Sequence, residues 1–245
     1  MSKVGIISQA RMGSTRLPGK VLLTARGRSM LDFHITRLQA SGLPVYLATT
    51  TGPEDDVLEQ WAGQHRVPCY RGSSADVLSR YYETATQFGL DTIVRVTSDC
   101  PLIDGELIGG AVQRYEAAAN PQLYMSNGLQ RTFPRGLDFE VFSYQLLTQA
   151  QQNARSESDR EHVTPYIHQN RSGKVEFAHV LHPTDASRFR ITLDTPEDWE
   201  LIRVLLEQYQ ADSLPTEALI QLLDTHPELV ALNAAIEQKK YDFTK

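Results

Sequence analysis

Short apolar runs alternate with longer amphipathic stretches through the first half of the chain. Residues 4–8, 44–49, 67–70 and 92–97 are brief, rich in β-branched side chains and bounded by turn residues, which is the pattern of buried strands. Between them, Leu31, Ile35 and Leu38 repeat at helical spacing, and Ser29 to Asp32 form a capping-box pattern ahead of them. Gly52-Pro53 opens a second helix. It has Glu54, Asp55 and Asp56 at its positive end and Val57, Leu58 and Trp61 as its apolar face. A third runs over about 74–88, with Val77, Leu78, Tyr81 and Tyr82 inward. Strands alternating with helices in this way predict an α/β fold: a Rossmann-like mixed, mainly parallel sheet, flanked by helices and joined by right-handed crossovers.

The second half keeps strands but loses strict alternation. Its patterns predict strands at 123–126, 137–142, 175–181 and 189–193. Helices are expected at 104–118, 144–152, 157–170, 196–209 and 216–223, with a short one near 229–237; Pro165 must break or kink its helix. A long loop at 127–136 carries Arg131 and Arg135. Residues 24–28 and 131–135 read as mobile loops at the rim. No repeat, low-complexity stretch or linker divides the chain, so 1–245 reads as a single domain.

Charge changes this picture. The chain carries −6 overall, yet Lys3, Arg11, Arg16, Lys20, Arg26 and Arg28 all precede the first acid, Asp32. That is +6, leaving 18 cations against the 30 acids, or −12, for the rest. A basic segment in an acidic protein is either an anion site or a solvated surface loop. Gly13 and Gly19 within it favour a site, since glycine-rich loops after a strand present backbone N–H groups to phosphate. A pI near 5.6 argues against a nucleic-acid partner. Cys69 and Cys100 lack metal-ligand spacing or a disulfide framework. No run is long enough for a signal peptide or a membrane span, so a cytoplasmic location without membrane insertion is expected.

The basic loop matches neither common phosphate motif. A P-loop has four residues between its glycines and Ser or Thr after Lys; here five separate Gly13 from Gly19, and Val21 follows Lys20. The dinucleotide fingerprint is absent too. Instead, Ser8-Gln-Ala-Arg-Met-Gly-Ser-Thr-Arg-Leu-Pro-Gly-Lys-Val resembles the signature of cytidylyltransferases that make CMP-sugars, the spore-coat polysaccharide biosynthesis protein F group in particular, with CMP-Kdo synthetase as a cousin. The resemblance continues in order through Val94-Arg-Val-Thr-Ser-Asp-Cys-Pro-Leu-Ile-Asp104, Gly136-Leu-Asp-Phe-Glu-Val-Phe142, Arg160-Glu-His-Val-Thr-Pro-Tyr166 and Arg190-Ile-Thr-Leu-Asp-Thr-Pro-Glu-Asp198. It covers about 3–205 and leaves the last forty or so residues without a motif.

The resemblance implies a CTP-dependent nucleotidyltransferase that activates a sugar acceptor, an acidic one, for surface polysaccharide biosynthesis. CTP, rather than another nucleoside triphosphate, is implied by the resemblance alone. So are a nucleotide-binding half at about 1–120, a substrate and dimerisation half at about 121–245, and a homodimer with its interface around 137–181. Such an enzyme attacks the α-phosphorus and expels pyrophosphate, so its work is positioning and charge neutralisation. Arg11 and Lys20 would meet the phosphates, with Arg16 nearby or in a structural ion pair. Ala10, Gly13, Ser14 and Thr97 would complete the nucleotide contacts, the backbone around Gly13 and Ser14 adding N–H donors. The resemblance also pairs Asp99 with Asp194 as ligands of Mg²⁺, a cation that takes one or two carboxylates plus phosphate oxygens.

Each assignment has a bland counterpart. Asp99 either binds metal or caps the helix after Pro101; Asp194 or Thr195 caps the helix at Pro196 in the same sense. Asp104 reads as a cap. Arg95 binds substrate or forms a buried ion pair. Arg135 falls on the substrate side. His162 touches the sugar or stands on a solvated helix face. Asp138 and Glu140 share a strand face, where they bind sugar hydroxyls or a second metal, or meet solvent. Two other classes stay open. A GT-A-type glycosyltransferase predicts an Asp-x-Asp motif, which is missing here. A non-catalytic nucleotide-binding regulatory module predicts decay of Arg11, Lys20, Asp99 or Asp194, all of which are present.

Overall fold

The computed structural model describes residues 2–236. Strand β1 (Val4–Gln9) is central. A small antiparallel ribbon, β2 (Thr24–Ala25) and β3 (Arg28–Ser29), follows the basic loop where a mobile rim loop is expected. The remaining strands are β4 (Val45–Thr50), β5 (Cys69–Gly72), β6 (Thr92–Thr97), β7 (Leu123–Ser126), β8 (Glu140–Ser143) and β9 (Glu176–His179). They join β1 in one seven-stranded sheet of order β5-β4-β1-β6-β8-β7-β9. β8 runs antiparallel to both its neighbours; every other pairing in that sheet is parallel. This is the mixed, mainly parallel sheet that the patterning predicts.

Helices cover both faces. α1 (Met30–Gln39), α2 (Asp56–His65), α4 (Gly105–Ala118), α8 (Pro196–Tyr209) and α9 (Thr216–Thr225) pack on one. α3 (Val77–Phe88), α5 (Tyr144–Asn153) and α7 (Pro165–His168) pack on the other. Two short helices, α6 (Glu157–His162) and α10 (Pro227–Ala231), complete the set. Ile6 and Ile7 are both fully buried, on opposite faces. A strand covered twice therefore reads as a continuous apolar run rather than an alternating one.

Several predicted boundaries move for local reasons. Pairing of β5 starts at Cys69, because the Val67 N–H is spent on Ala62 and Pro68 has no donor. β8 starts at Glu140 rather than 137, because the Asn127 side chain takes both the Leu137 carbonyl and the Phe139 N–H. Residues 189–193 form no strand. Their hydrogen bonds go partly to Arg135 and partly to Asp99, leaving only an isolated bridge between Arg135 and Arg190. The helix over 157–170 breaks into α6 and α7 at Val163, which has a φ of 73°. A 3-10 turn at Pro53–Asp55 precedes α2, and Val57 ends on its exposed side. Tyr82 is only half-buried and stacks on Tyr144. The expected helix near 229–237 begins earlier, and Glu237 lies outside the described residues.

One buried polar chain ties β1 to β6 and α1. His34 Nδ1 lies 2.8 Å from the Cys100 carbonyl, and Nε2 lies 2.8 Å from Ser8 Oγ. Ser8 in turn meets Ser98 at 2.7 Å. A carbonyl only accepts, so Nδ1 carries the proton, Ser8 donates to Nε2, and Ser98 donates to Ser8. Burial holds the imidazole down at about 4, against the opposing pull of the Cys100 bond and the Asp99 charge.

The folded protein thus keeps His34 neutral where an unfolded chain would protonate it. Stability should fall as pH drops from about 6.5 toward about 4, by on the order of 3 kcal/mol from this residue. Urea unfolding across that window should show a shallower pH slope for His34→Gln than for the parent; equal slopes would remove His34 as the cause.

Candidate active site

The basic loop leaves β1 at the C-terminal edge of the sheet, the edge where open α/β sheets bind ligands. Its curl has a simple origin. The Met12 carbonyl accepts from both Ser14 N (2.9 Å) and Gly19 N (3.0 Å). Met12 N donates to Asp55, a fully buried carboxylate that also binds Thr50 at the end of β4. Gly19 has a φ of 68°, which glycine adopts without strain, and the next residues form a 3-10 turn with Val21 buried. Lys20 is therefore aimed from a fixed backbone position.

Its ammonium lies 2.9 Å from Asp99 and 2.8 Å from Asp194. Arg16 also reaches Asp194, at 3.3 Å, and Arg190 reaches it at 3.2 Å. Burial works against the charge of Asp99, but Lys20 and the Thr97 hydroxyl, 2.6 Å away, hold its carboxyl down at about 2. Burial likewise disfavours the Lys20 charge, yet the two carboxylates raise it above the ordinary lysine range. The two carboxylates come together through the backbone: Leu193 N donates to the Asp99 carbonyl at 2.8 Å, and the Thr192 hydroxyl does so at 3.2 Å.

Asp194 has a second support that the sequence reading assigns no part in the site. Asp198 is fully buried in the capping box of α8. It binds Arg190 in a bidentate pair at 2.8 and 2.7 Å, and accepts from Asp194 N, Thr195 N and Asn233. Burial opposes its charge, but Arg190 and Asn233 hold its carboxyl below the usual range. The capping-box spacing from Thr195 to Asp198 was the available signal; nothing local pointed to Arg190 or Asn233.

Two cavities meet at this cluster. One, of about 330 Å³, is walled by the loop residues Ala10, Arg11, Ser14, Arg16 and Lys20, with Ser98 and His162 beside them. The other, of about 410 Å³, is walled by Ser126, Arg131, Arg135, Asp138, Glu140 and His168. Arg95, Thr97, Asp99 and Asp194 line both. Arg95 pairs with Glu140 at 3.2 Å, and Arg131 pairs with Asp138. The structure therefore sets Arg135, Asp138 and Glu140 together in the second cavity. It sets His162 with the basic loop, apart from that group. Gly13 has open space around it and lines neither cavity, and the Ser14 N–H is spent within the loop. Asp104 caps α4 and binds Thr216. Cys100 is buried, and burial beside Asp99 pushes its thiol well up, away from nucleophile chemistry.

The seam between the halves of the site passes through Gly136. It has a φ of 107°, and an added Cβ would lie 2.6 Å from the Ile191 carbonyl group. Gly136→Ala should therefore cost about 1–3 kcal/mol and loosen the approach of the 127–136 loop to Arg190. Urea denaturation reads this directly; unchanged stability would show that the seam relaxes freely.

The cytidylyltransferase family profile matches residues 4–241. The solved structure of a cytidylyltransferase from Leptospira borgpetersenii serovar Hardjo-bovis superposes with a TM-score of 0.90 at 34% identity, covering 99% of this chain and 100% of that one. The spore coat polysaccharide biosynthesis protein SpsF of Bacillus subtilis is 31% identical over 93% of this chain and 97% of its own length. The 3-deoxy-manno-octulosonate cytidylyltransferase of Hahella chejuensis is 32% identical over 55% of this chain and 53% of its own. No helix among the described residues is long and apolar enough to cross a membrane. A basic cavity facing two carboxylates, on a sheet of this topology, fits these matches: the chain belongs to the cytidylyltransferase family and is a CTP-dependent nucleotidyltransferase.

Proposed function

We propose that the enzyme transfers CMP from CTP to a hydroxyl of an acidic sugar, releasing pyrophosphate, in the cytoplasm and in the service of a surface polysaccharide. The observation that carries this is the junction of the two cavities at Asp99 and Asp194. The triphosphate lies in the basic cavity and the sugar in the other, so the α-phosphorus falls where they meet. The acceptor hydroxyl oxygen forms its bond to phosphorus there, giving up its proton to solvent, while the bond from the α-phosphorus to the oxygen bridging to the β-phosphate breaks. Arg11, Arg16 and Lys20 take up the charge that grows on the departing pyrophosphate.

Arg131 and Arg135, with Arg95 at the junction, support an anionic acceptor, and Asp138 and Glu140 hold two of these cations in place while offering acceptors to hydroxyls. The Hahella relative is named for a sugar acid, and the Bacillus relative for polysaccharide synthesis.

The donor set at the junction fits Mg²⁺. Two carboxylates present hard oxygen ligands, and a cation that brings phosphate and water ligands with it needs no third side chain. Asp99 and Asp194 would hold it, and when bound it neutralises charge on the α-phosphate. Thr97 orients Asp99, and Asp198 with Arg190 orients Asp194.

Incubation with CTP, Mg²⁺ and a panel of keto-acid and neutral sugars should release pyrophosphate with an acid and not with its neutral counterpart. Release from a neutral sugar as readily as from its acid would refute the acceptor class, and absence of pyrophosphate with every acceptor would refute the transfer itself. Asp99→Asn should lower kcat by roughly 100-fold or more while leaving the fold intact by circular dichroism.

A further inference from the structure

The ammonium of Lys20 sits between Asp99 and Asp194, the two carboxylates that would hold Mg²⁺. We infer that Lys20 is an internal stand-in for the metal: it neutralises Asp99 and Asp194 in the nucleotide-free enzyme, and the divalent ion gains the carboxylates only when a triphosphate draws Lys20 away. This rests on the metal reading above and adds an order of assembly to it.

The geometry favours exchange over coexistence. Lys20 Nζ contacts one oxygen of each carboxylate at hydrogen-bond distance, and its side chain is only 12% exposed. Asp194 already carries Arg16 and Arg190 as well. A free dication arriving at this cluster meets three cations within ionic contact of the oxygens it needs. In a partly desolvated site that repulsion is large. A triphosphate reverses the balance. Its oxygens enter the cavity that Arg11, Arg16 and Lys20 wall, and they offer the ammonium new partners a short distance from the old ones.

Lys20 is suited to such a move. Its backbone is held by the Gly19 turn and by buried Val21, so the side chain moves and the loop need not. Its charge is compact and rides on a flexible four-carbon stem, unlike the planar fork of arginine. Before and after the exchange each carboxylate has a cation, and Asp194 keeps Arg16 and Arg190 throughout, so the resting states avoid a buried, unpaired acid, the arrangement that costs most.

The test is a titration of Mn²⁺, followed by electron paramagnetic resonance, into the nucleotide-free wild-type protein, Lys20→Met and Lys20→Met/Asp99→Asn. Lys20→Met should bind Mn²⁺ at least about tenfold more tightly than wild type, and the double variant should lose that gain. Wild-type affinity equal to that of Lys20→Met would overturn the inference, as would a gain that survives Asp99→Asn. Lys20→Gln serves in the same comparison if the methionine variant does not fold. With CTP added, wild type should show a protein-bound Mn²⁺ signal distinct from the Mn²⁺–CTP complex in solution. Failure of that arm alone would count against the metal reading of the active site, while the nucleotide-free comparison would still decide the role of Lys20.

Discussion

A partly buried carboxylate pair needs a cation, and that need organises this site. Asp99 and Asp194 come from segments far apart in the chain, and Lys20 joins them across sequence separations of 79 and 174 residues. Leaving either acid buried and alone would cost several kcal/mol. Many otherwise unremarkable contacts therefore serve one end. Asp55 grips the loop that aims Lys20, Thr97 turns Asp99, and Asp198 locks Arg190 and the backbone of Asp194.

The same cluster explains why two cavities suffice for the chemistry. It lies at their shared wall, so whatever fills one is brought against whatever fills the other. The basic side comes from the parallel half of the sheet. The second cavity lies in the region where β8 enters antiparallel between β6 and β7. That insertion sets Glu140 opposite Arg95 in register. Cation and acid are thus neighbours by sheet pairing, and the two hydrogen bonds of Asn127 tie the start of the loop at 127–136 to the segment that follows it.

Elements specified by short-range forces were legible in the chain. The strand at 92–97 and the helix at 196–209 coincide with β6 and α8, and the capping box at Ser29 starts α1 as its spacing requires. Where prediction and structure part, a side chain or loop elsewhere had taken the backbone groups. Asn127 shortened β8, and the divided loyalties of residues 189–193 prevented a strand. Neither Asn127 nor Arg135 advertises that role in its local sequence.

The sequence alone determined the alternation of strand and helix, the concentration of positive charge before Asp32 and, through ordered motifs, the family. Those depend on steric preferences and composition within a few residues of each other, so they survive without a fold. The ion pairs of Lys20 with both Asp99 and Asp194, the part played by Asp198 and the neutral His34 chain were decided only in three dimensions. Each is a contact between segments whose distance is set by strand order, and a charge chooses its partner by proximity through space rather than along the chain.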